Sequence, residues 1–341
     1  MKKILSGLLL LGSVAFGADN VLYVYNWSEY LPQKVIKQFE KESGIKVKYS
    51  TYDSNEAMYA KIKTDKKSSY DIIVPSTYFV SKMSKEGLLA PIDKSKIPNF
   101  KNLDQTLLYK PFDPKNDYSV PYLWGSTGIS YNSALLGKGA VTSWADLWNP
   151  KYKKSVLLTD DLREVFGMSL KVLGYSANDT DPKHIEQAYQ KLLALKPNVK
   201  VFNSESPKQV YLSEEVKLGM NFNGENYMAN QESPDLKYVY PKEGIMLWVD
   251  SLVIPKNAKH IDSAHKFINF LLKPEIGKII SEEIGYASPN AASVKLLPKA
   301  VQSNRIIYPN AQDLKNSEFQ TDIGSAVKVY EKYWERFKAL K

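Results

Sequence analysis

The chain of 341 residues contains no cysteine. That absence excludes a disulfide framework, a thiolate nucleophile and a cysteine-held metal, and it leaves no thiol for a lipid anchor. Histidine is scarce too. His184, His260 and His265 are the whole supply, and the last two, five apart, fit neither a zinc-binding HExxH helix nor a nucleophile triad. All three stand in polar helical surroundings and are expected to face solvent. No Walker motif occurs, and Gly137-Lys138-Gly139 lacks the preceding strand, the third glycine and the acidic follow-up of a dinucleotide loop. After the first residues, no run approaches the roughly 18 uninterrupted apolar residues of a membrane span. There is no internal repeat and no low-complexity segment.

What is present begins with Lys2-Lys3, a mainly apolar run from Ile4 to Phe16, and Ala15-Phe16-Gly17 ahead of Ala18. This is the pattern of a secretory signal peptide, expected over residues 1–17, so the mature chain is expected to be exported and soluble. The net charge is +9, or +7 without Lys2 and Lys3. A basic balance raises nucleic acid or anionic surfaces as partners, but the lysines are scattered, with no dense block and no RNA-binding signature. They are read as solvated faces, with no nucleic-acid partner. Distant surface charges are screened within about 10 Å, so a basic protein can still hold a cation in a pocket of its own sign pattern. The length exceeds what one core usually holds, which makes two domains the expectation.

In order, Val21 to Tyr25 alternates as a strand and Asn26-Trp27-Ser28-Glu29-Tyr30 follows as an aromatic, polar loop. Pro32 then opens a helix with Val35, Ile36 and Phe39 on one face, and Gly44 ends it. Ile45, Val47 and Tyr49 alternate as the next strand, Ser54 caps a helix through Ile62, and Tyr70 to Val74 forms a third strand. Such a β-α-β-α-β opening predicts a mostly parallel sheet with ligands at the loops beyond its carboxyl ends. Near residues 120–130 the pattern suggests a crossover into a second lobe, and the strand over 245–255 would be the return. The last helix, near Ser325 to Lys338, carries Ala326, Val327, Tyr330, Trp334 and Phe337 on one side. It could lie on a membrane surface or dock on the protein body.

The return strand, Ile245 to Pro255, reads as buried, yet Asp250 stands in its middle. Strand side chains alternate, so Trp248 and Asp250 share a face, and an indole beside a carboxylate suits an organic cation. A bond from Asp250 to a backbone amide or an arginine is the plainer alternative. Asp161 and Glu164 sit three apart at a helix start. They read as a capping box, or as two carboxylates at one helix end able to hold a second ammonium. Carboxylates near aromatics also suit a glycoside hydrolase.

Several stretches carry a further signal. Tyr25-Asn26-Trp27-Ser28-Glu29-Tyr30, Tyr49-Ser50-Thr51-Tyr52-Asp53-Ser54-Asn55-Glu56, Val74-Pro75-Ser76-Thr77-Tyr78, Leu158 to Phe166, Trp248-Val249-Asp250-Ser251 and Phe267 to Leu272 resemble, in this order, the periplasmic spermidine/putrescine-binding proteins of polyamine ABC importers. The resemblance extends over the whole mature chain. It implies an α/β, two-lobed periplasmic binding protein fold of type II, each lobe a mixed, mainly parallel sheet flanked by helices, joined by crossing hinge strands. The lobes would comprise residues 18–124 plus 249–294, and residues 125–248 plus 295–341. It implies an aromatic box of Trp27, Tyr30, Tyr78, Trp248 and Tyr286, with Phe222 beside it. Acidic anchors would be Asp161, Glu164, Asp250 and Glu29, and hydrogen-bonding groups Ser28, Ser76, Ser204 and Gln320. Phe222 departs from the tryptophan common in the family, and Ser28 from the threonine frequent in spermidine binders.

The implied function is periplasmic capture of spermidine, or of putrescine, by a monomer that hands it unchanged to an inner-membrane ABC permease. No cofactor, metal or catalytic residue is implied. A sensor using the same pocket, or a hydrolase, are the alternatives.

Overall fold

The computed structural model describes residues 20–67 and 69–340, so the expected signal peptide lies outside the described residues. Strand β1 (Val21–Trp27) pairs in parallel with β2 (Lys46–Tyr52) on one edge and with β3 (Ile72–Ile73) on the other. Between the first two runs the helix Gln33–Ser43, which buries Val35, Ile36 and Phe39 and stops at Gly44, where φ is 71°. That left-handed turn strains any residue with a Cβ. Ser54 caps the next helix, Asn55–Thr64, by accepting the Ala57 N–H at 3.2 Å. The third strand is shorter than the expected Tyr70–Val74. Asp71 turns its carboxylate onto the Tyr23 N–H at 3.0 Å, and Pro75, with no N–H to give, ends the ladder. After the helix Thr77–Lys85 and the short β4 (Leu89–Ala90), the long β5 (Val120–Asn132) leaves this region.

The second region is built from β6 (Val156–Leu158), β7 (Val199–Phe202), β8 (Leu218–Phe222), β9 (Leu236–Val239) and β10 (Met246–Leu252). After β10 come β11 (Ile254–Pro255) and, much later, β12 (Glu318–Phe319). The sheet order is β12-β10-β5-β8-β6-β7, with β9 also on β5. It is mixed. β6 runs parallel to both β7 and β8, whereas β5 is antiparallel to β8, β9 and β10.

β5 and β10 are the two crossings expected from the sequence. They pair from Met246 opposite Thr127 to Leu252 opposite Val120, with a register shift between Asp250 and Ser251. Immediately beyond, Val253 exchanges backbone hydrogen bonds with Ile73 at 3.0 and 3.1 Å, and β11 pairs with β4. A single run of chain therefore belongs to the second sheet at its start and to the first at its end. Two main cores lie on either side. Leu22, Val35, Phe39, Ile72 and Phe267 anchor the first, and Trp144, Val156, Phe166, Leu192 and Tyr330 the second.

The C-terminal helix Val327–Ala339 docks on the body, burying Tyr330 and Phe337 completely. Among the described residues no helix is long and apolar enough to cross a membrane. One histidine departs from expectation: His265 is 2% exposed. Its Nε2 accepts the Asp93 N–H at 2.9 Å while its Nδ1 lies 2.8 Å from the Ile261 carbonyl. It is a buried bridge between a loop and a helix. His260 likewise rests against Asp71 at 2.9 Å, and His184 stacks on Tyr175.

Candidate functional site

Between the two regions lies an open cleft whose free space, counting the solvent at its mouth, is about 810 Å³. Trp27, Ser28, Glu29 and Tyr30 reach it from the end of β1 and the turn that follows, and Ser76 and Tyr78 from the turn after β3. Trp248 and Asp250 come from β10, and Tyr286 from the loop closing the helix Pro274–Ile284. From the opposite side come Asp161 and Glu164 at the start of the helix Leu162–Val172, Ser204 after β7, Phe222 ending β8, and Gln320 after β12. Every binding residue expected from the sequence thus lines one cavity. The sequence reading missed Tyr52, Asp53, Asn55, Glu205 and Glu225, which line it as well.

Asp250 is 5% exposed and accepts hydrogen bonds from Ser76 Oγ at 2.6 Å and the Tyr30 hydroxyl at 2.7 Å. Burial pushes its carboxyl up to about 6, against the pull of those two donors. Ser76 is itself fixed by Asn55, whose Nδ2 donates to the Ser76 oxygen at 3.1 Å and whose Oδ1 accepts the Ser76 N–H at 3.0 Å. Among the described residues neither a backbone amide nor an arginine satisfies Asp250, so the plain alternative does not apply.

The rings are held by one another. Trp248 meets Tyr286 edge to face at 5.3 Å and Phe222 at 6.2 Å, and Tyr286 meets Tyr30 at 5.6 Å. These lie in the range of favourable aromatic pairs. Trp27 is pinned by its Nε1–H, which donates to the Val74 carbonyl at 2.9 Å, with Tyr52 tilted against the ring at 4.7 Å. Gly125 is obligatory behind the box, because a Cβ there would sit 2.6 Å from the Trp248 ring and 2.4 Å from Asn223.

At the other end Asp161 caps its helix, accepting the Arg163 and Glu164 N–H groups at 2.8 and 3.0 Å. Half of the expected capping box therefore forms. Glu164 does not reach back; one oxygen accepts from Gln320 Nε2 at 3.0 Å, and the other has no partner among the described residues. It is 4% exposed. Burial first, and then the charge of Asp161, hold the Glu164 carboxyl well above its ordinary range, and burial raises Asp161 too. The buried hydroxyls of Tyr78 and Ser204 are also unpartnered among the described residues. Burial raises Glu225 to about 7, while a hydrogen bond shared with Asp53 raises the exposed Glu205.

The sum of charges is one-sided. Glu29, Asp53, Asp161, Glu164, Glu205, Glu225 and Asp250 line the cavity, and among the described residues no lysine, arginine or histidine does. Unanswered buried carboxylates are costly, and they persist where a counter-charge arrives from outside. Among the described residues no three acidic or histidine side chains converge on a point that could hold a metal ion. The carboxylates are instead spread along a groove between ring faces, which suits an elongated organic cation with separated charges.

A hinged pair of α/β lobes around a ligand-sized cleft defines a solute-binding protein. The chain belongs to the bacterial extracellular solute-binding protein family, whose model matches residues 34–309. It is 54% identical over 336 residues to a spermidine/putrescine-binding periplasmic protein of Escherichia coli (strain K12), covering 98% of this chain and 97% of that one. A solved structure from Listeria monocytogenes superposes with a TM-score of 0.92 at 44% identity, covering 94% of this chain and 100% of that one. A spermidine/putrescine ABC transporter substrate-binding protein from Streptococcus pneumoniae gives 0.79 at 40% identity, covering 94% and 98%. The fold is accordingly the two-lobed, type II periplasmic arrangement expected from the sequence.

Proposed function

We propose that this protein captures a protonated linear polyamine in the periplasm, spermidine in preference to putrescine, and delivers it unchanged as a monomer to an inner-membrane ABC permease. The observation that carries the reading is the cavity wall: seven carboxylates and no basic side chain, in a chain whose net charge is +9. A polyamine alternates ammonium centres with methylene spacers. Asp250 would take one ammonium, with Trp248 and Tyr286 against the spacer. The Asp161–Glu164 pair would take another, and Glu29 a third. Three separated anchors favour a triamine over a diamine. The unpaired Glu164 oxygen and the free Tyr78 and Ser204 hydroxyls are receptors for its N–H groups.

In this reading the first lobe comprises residues 18–124 and 249–294, the second 125–248 and 295–341, and the pair β5–β10 is the hinge. Two observations support that division: the separate cores, and the antiparallel run that joins both sheets. Micromolar affinity, about −8 kcal/mol, suffices for scavenging and leaves release possible. Isothermal titration at pH 7.5 with spermidine, putrescine and a neutral disaccharide tests the proposal. Heat with the amines and none with the sugar is expected, and mass spectrometry after a day should return the amine intact. No heat with either amine overturns the reading, and a product peak replaces it with an enzymatic one.

A further inference from the structure

Arg163 lies between the two acidic residues of the cavity's far end in sequence and is 1% exposed, yet it pairs with no carboxylate among the described residues. Its guanidinium donates to two uncharged acceptors instead, the Thr321 carbonyl at 3.0 Å and Asn178 Oδ1 at 2.9 Å. It sits over the Tyr78 ring at 4.9 Å and the Tyr330 ring at 5.9 Å, and its Nε has no partner. A buried arginine next to one buried and one half-buried carboxylate would ordinarily collapse onto one of them, as a bidentate pair. Here neutral acceptors and rings from four separate segments hold it away.

The other charges facing this corner are accounted for. Asp160 precedes the pair in sequence and is taken by Lys338 of the C-terminal helix at 2.5 and 2.7 Å. Lys171, on the same helix as Glu164, is taken by Glu318 at 2.5 Å. Glu56 faces Asp161 from the first lobe, with Glu331 behind it; burial and the Asp161 charge hold Glu56 at about 7. Asp250 acts on Glu164 from β10. Against these like charges Arg163 is the one cation that acts on Asp161, Glu164 and Glu56 alike.

We propose that Arg163 is a positioning residue for this site, a fixed counter-charge that eases the ionisation of Asp161 and Glu164 towards an incoming ammonium without occupying either of them. A bidentate salt bridge would hold one carboxylate just as anionic but would take up both of its oxygens. A site without the arginine would let them take up protons. The contact with Tyr78, a first-lobe residue, ties the charge to the closed cleft, because opening separates guanidinium from ring. The inference rests on the polyamine reading and deepens it.

The test is a pH series of spermidine titrations from 5.5 to 8, a range in which alkylamines stay largely protonated. Wild type is the control, and its failure to bind at any pH would refute the polyamine reading itself. Arg163→Met should move the midpoint of the fall in affinity upward by about one pH unit, so that binding at pH values below both midpoints weakens about tenfold. Arg163→Lys should return the midpoint towards wild type. A structural role alone would lower affinity equally at all pH values. A Met variant that is folded by circular dichroism and titrates with the wild-type midpoint overturns the proposal, as does a Lys variant that fails to restore it. If the Met variant does not fold, Arg163→Lys and Arg163→Gln, which differ in charge, are compared in its place, and equal midpoints overturn the proposal.

Discussion

Replacing Asp250 by Asn separates what this carboxylate does for binding from what it does to the fold. The side chains are nearly isosteric, so the box around it should persist. The amide oxygen can accept from one of the two hydroxyls, Ser76 or Tyr30, and its NH2 can donate to the other once that hydroxyl turns. In the unliganded protein the carboxyl stands at about 6 against its usual 3.8, a rise of roughly 2 units. Keeping it ionised at pH 7.5 therefore costs about 3 kcal/mol, at 1.36 kcal/mol per unit. The amide removes that cost and gives back about 1 kcal/mol through poorer hydrogen bonds. Unliganded Asp250→Asn should thus be as stable as wild type or more so. Binding moves the other way, because a buried ammonium that loses its charged partner forfeits about 2–5 kcal/mol, or some thirty- to several-thousand-fold in Kd. Calorimetry gives the affinity, and thermal melts with and without ligand give the stability. Affinity within threefold of wild type would refute the assignment, and a strongly destabilised unliganded variant would refute the account of its burial.

Phe222→Trp should tighten polyamine binding by about 0.5–1 kcal/mol, because indole is the better cation-binding face; unchanged titration heats and affinity would remove this ring from the site. The pH dependence has a definite sign. Asp250, Asp161 and Glu164 are raised by burial in the empty site, so the folded state binds more protons than the unfolded one above about pH 4. Unliganded stability from Asp250 falls as pH rises through about 6, Asp161 and Glu164 act in the same direction, and polyamine affinity rises; melts at pH 5 and 7.5 should show the larger ligand-induced shift at 7.5, and the reverse order contradicts the electrostatics. Gly125→Ala should cost about 1–3 kcal/mol of stability and weaken every amine, since its Cβ meets Trp248 at 2.6 Å and Asn223 at 2.4 Å; wild-type melting and affinity would show that the box yields easily.

Much of this was readable before any coordinates. Periodicity located the opening strands and helices, and a carboxylate inside an apolar strand drew attention to Asp250 and, through strand alternation, to Trp248. What escaped depends on distant pairing. Glu225 lies in the first turn of its helix, where an acidic residue is ordinary, and Glu205 sits in a polar stretch; only tertiary packing brings them to the cavity. Asp53 and Asn55 were within a stretch already singled out, but nothing local told a helix-start residue from a partner of Ser76. His265 had a legible signal that was overlooked: it stands three before Ile268, on the face that its helix buries. Glu164 shows the limit of motif reading, because the spacing fits a capping box while the tertiary neighbour Gln320 captures the side chain.

The split ownership of the anchors has a mechanical consequence. Asp250 is braced by Ser76 and Tyr30 on one wall of the cavity, and Asp161 and Glu164 stand at a helix start on the opposite wall. A guest bridging them is a removable tie between two arms rather than a key in a rigid lock. Whatever pries the arms apart at their outer faces can break the grip one end at a time, so tight retention and prompt release need not compete.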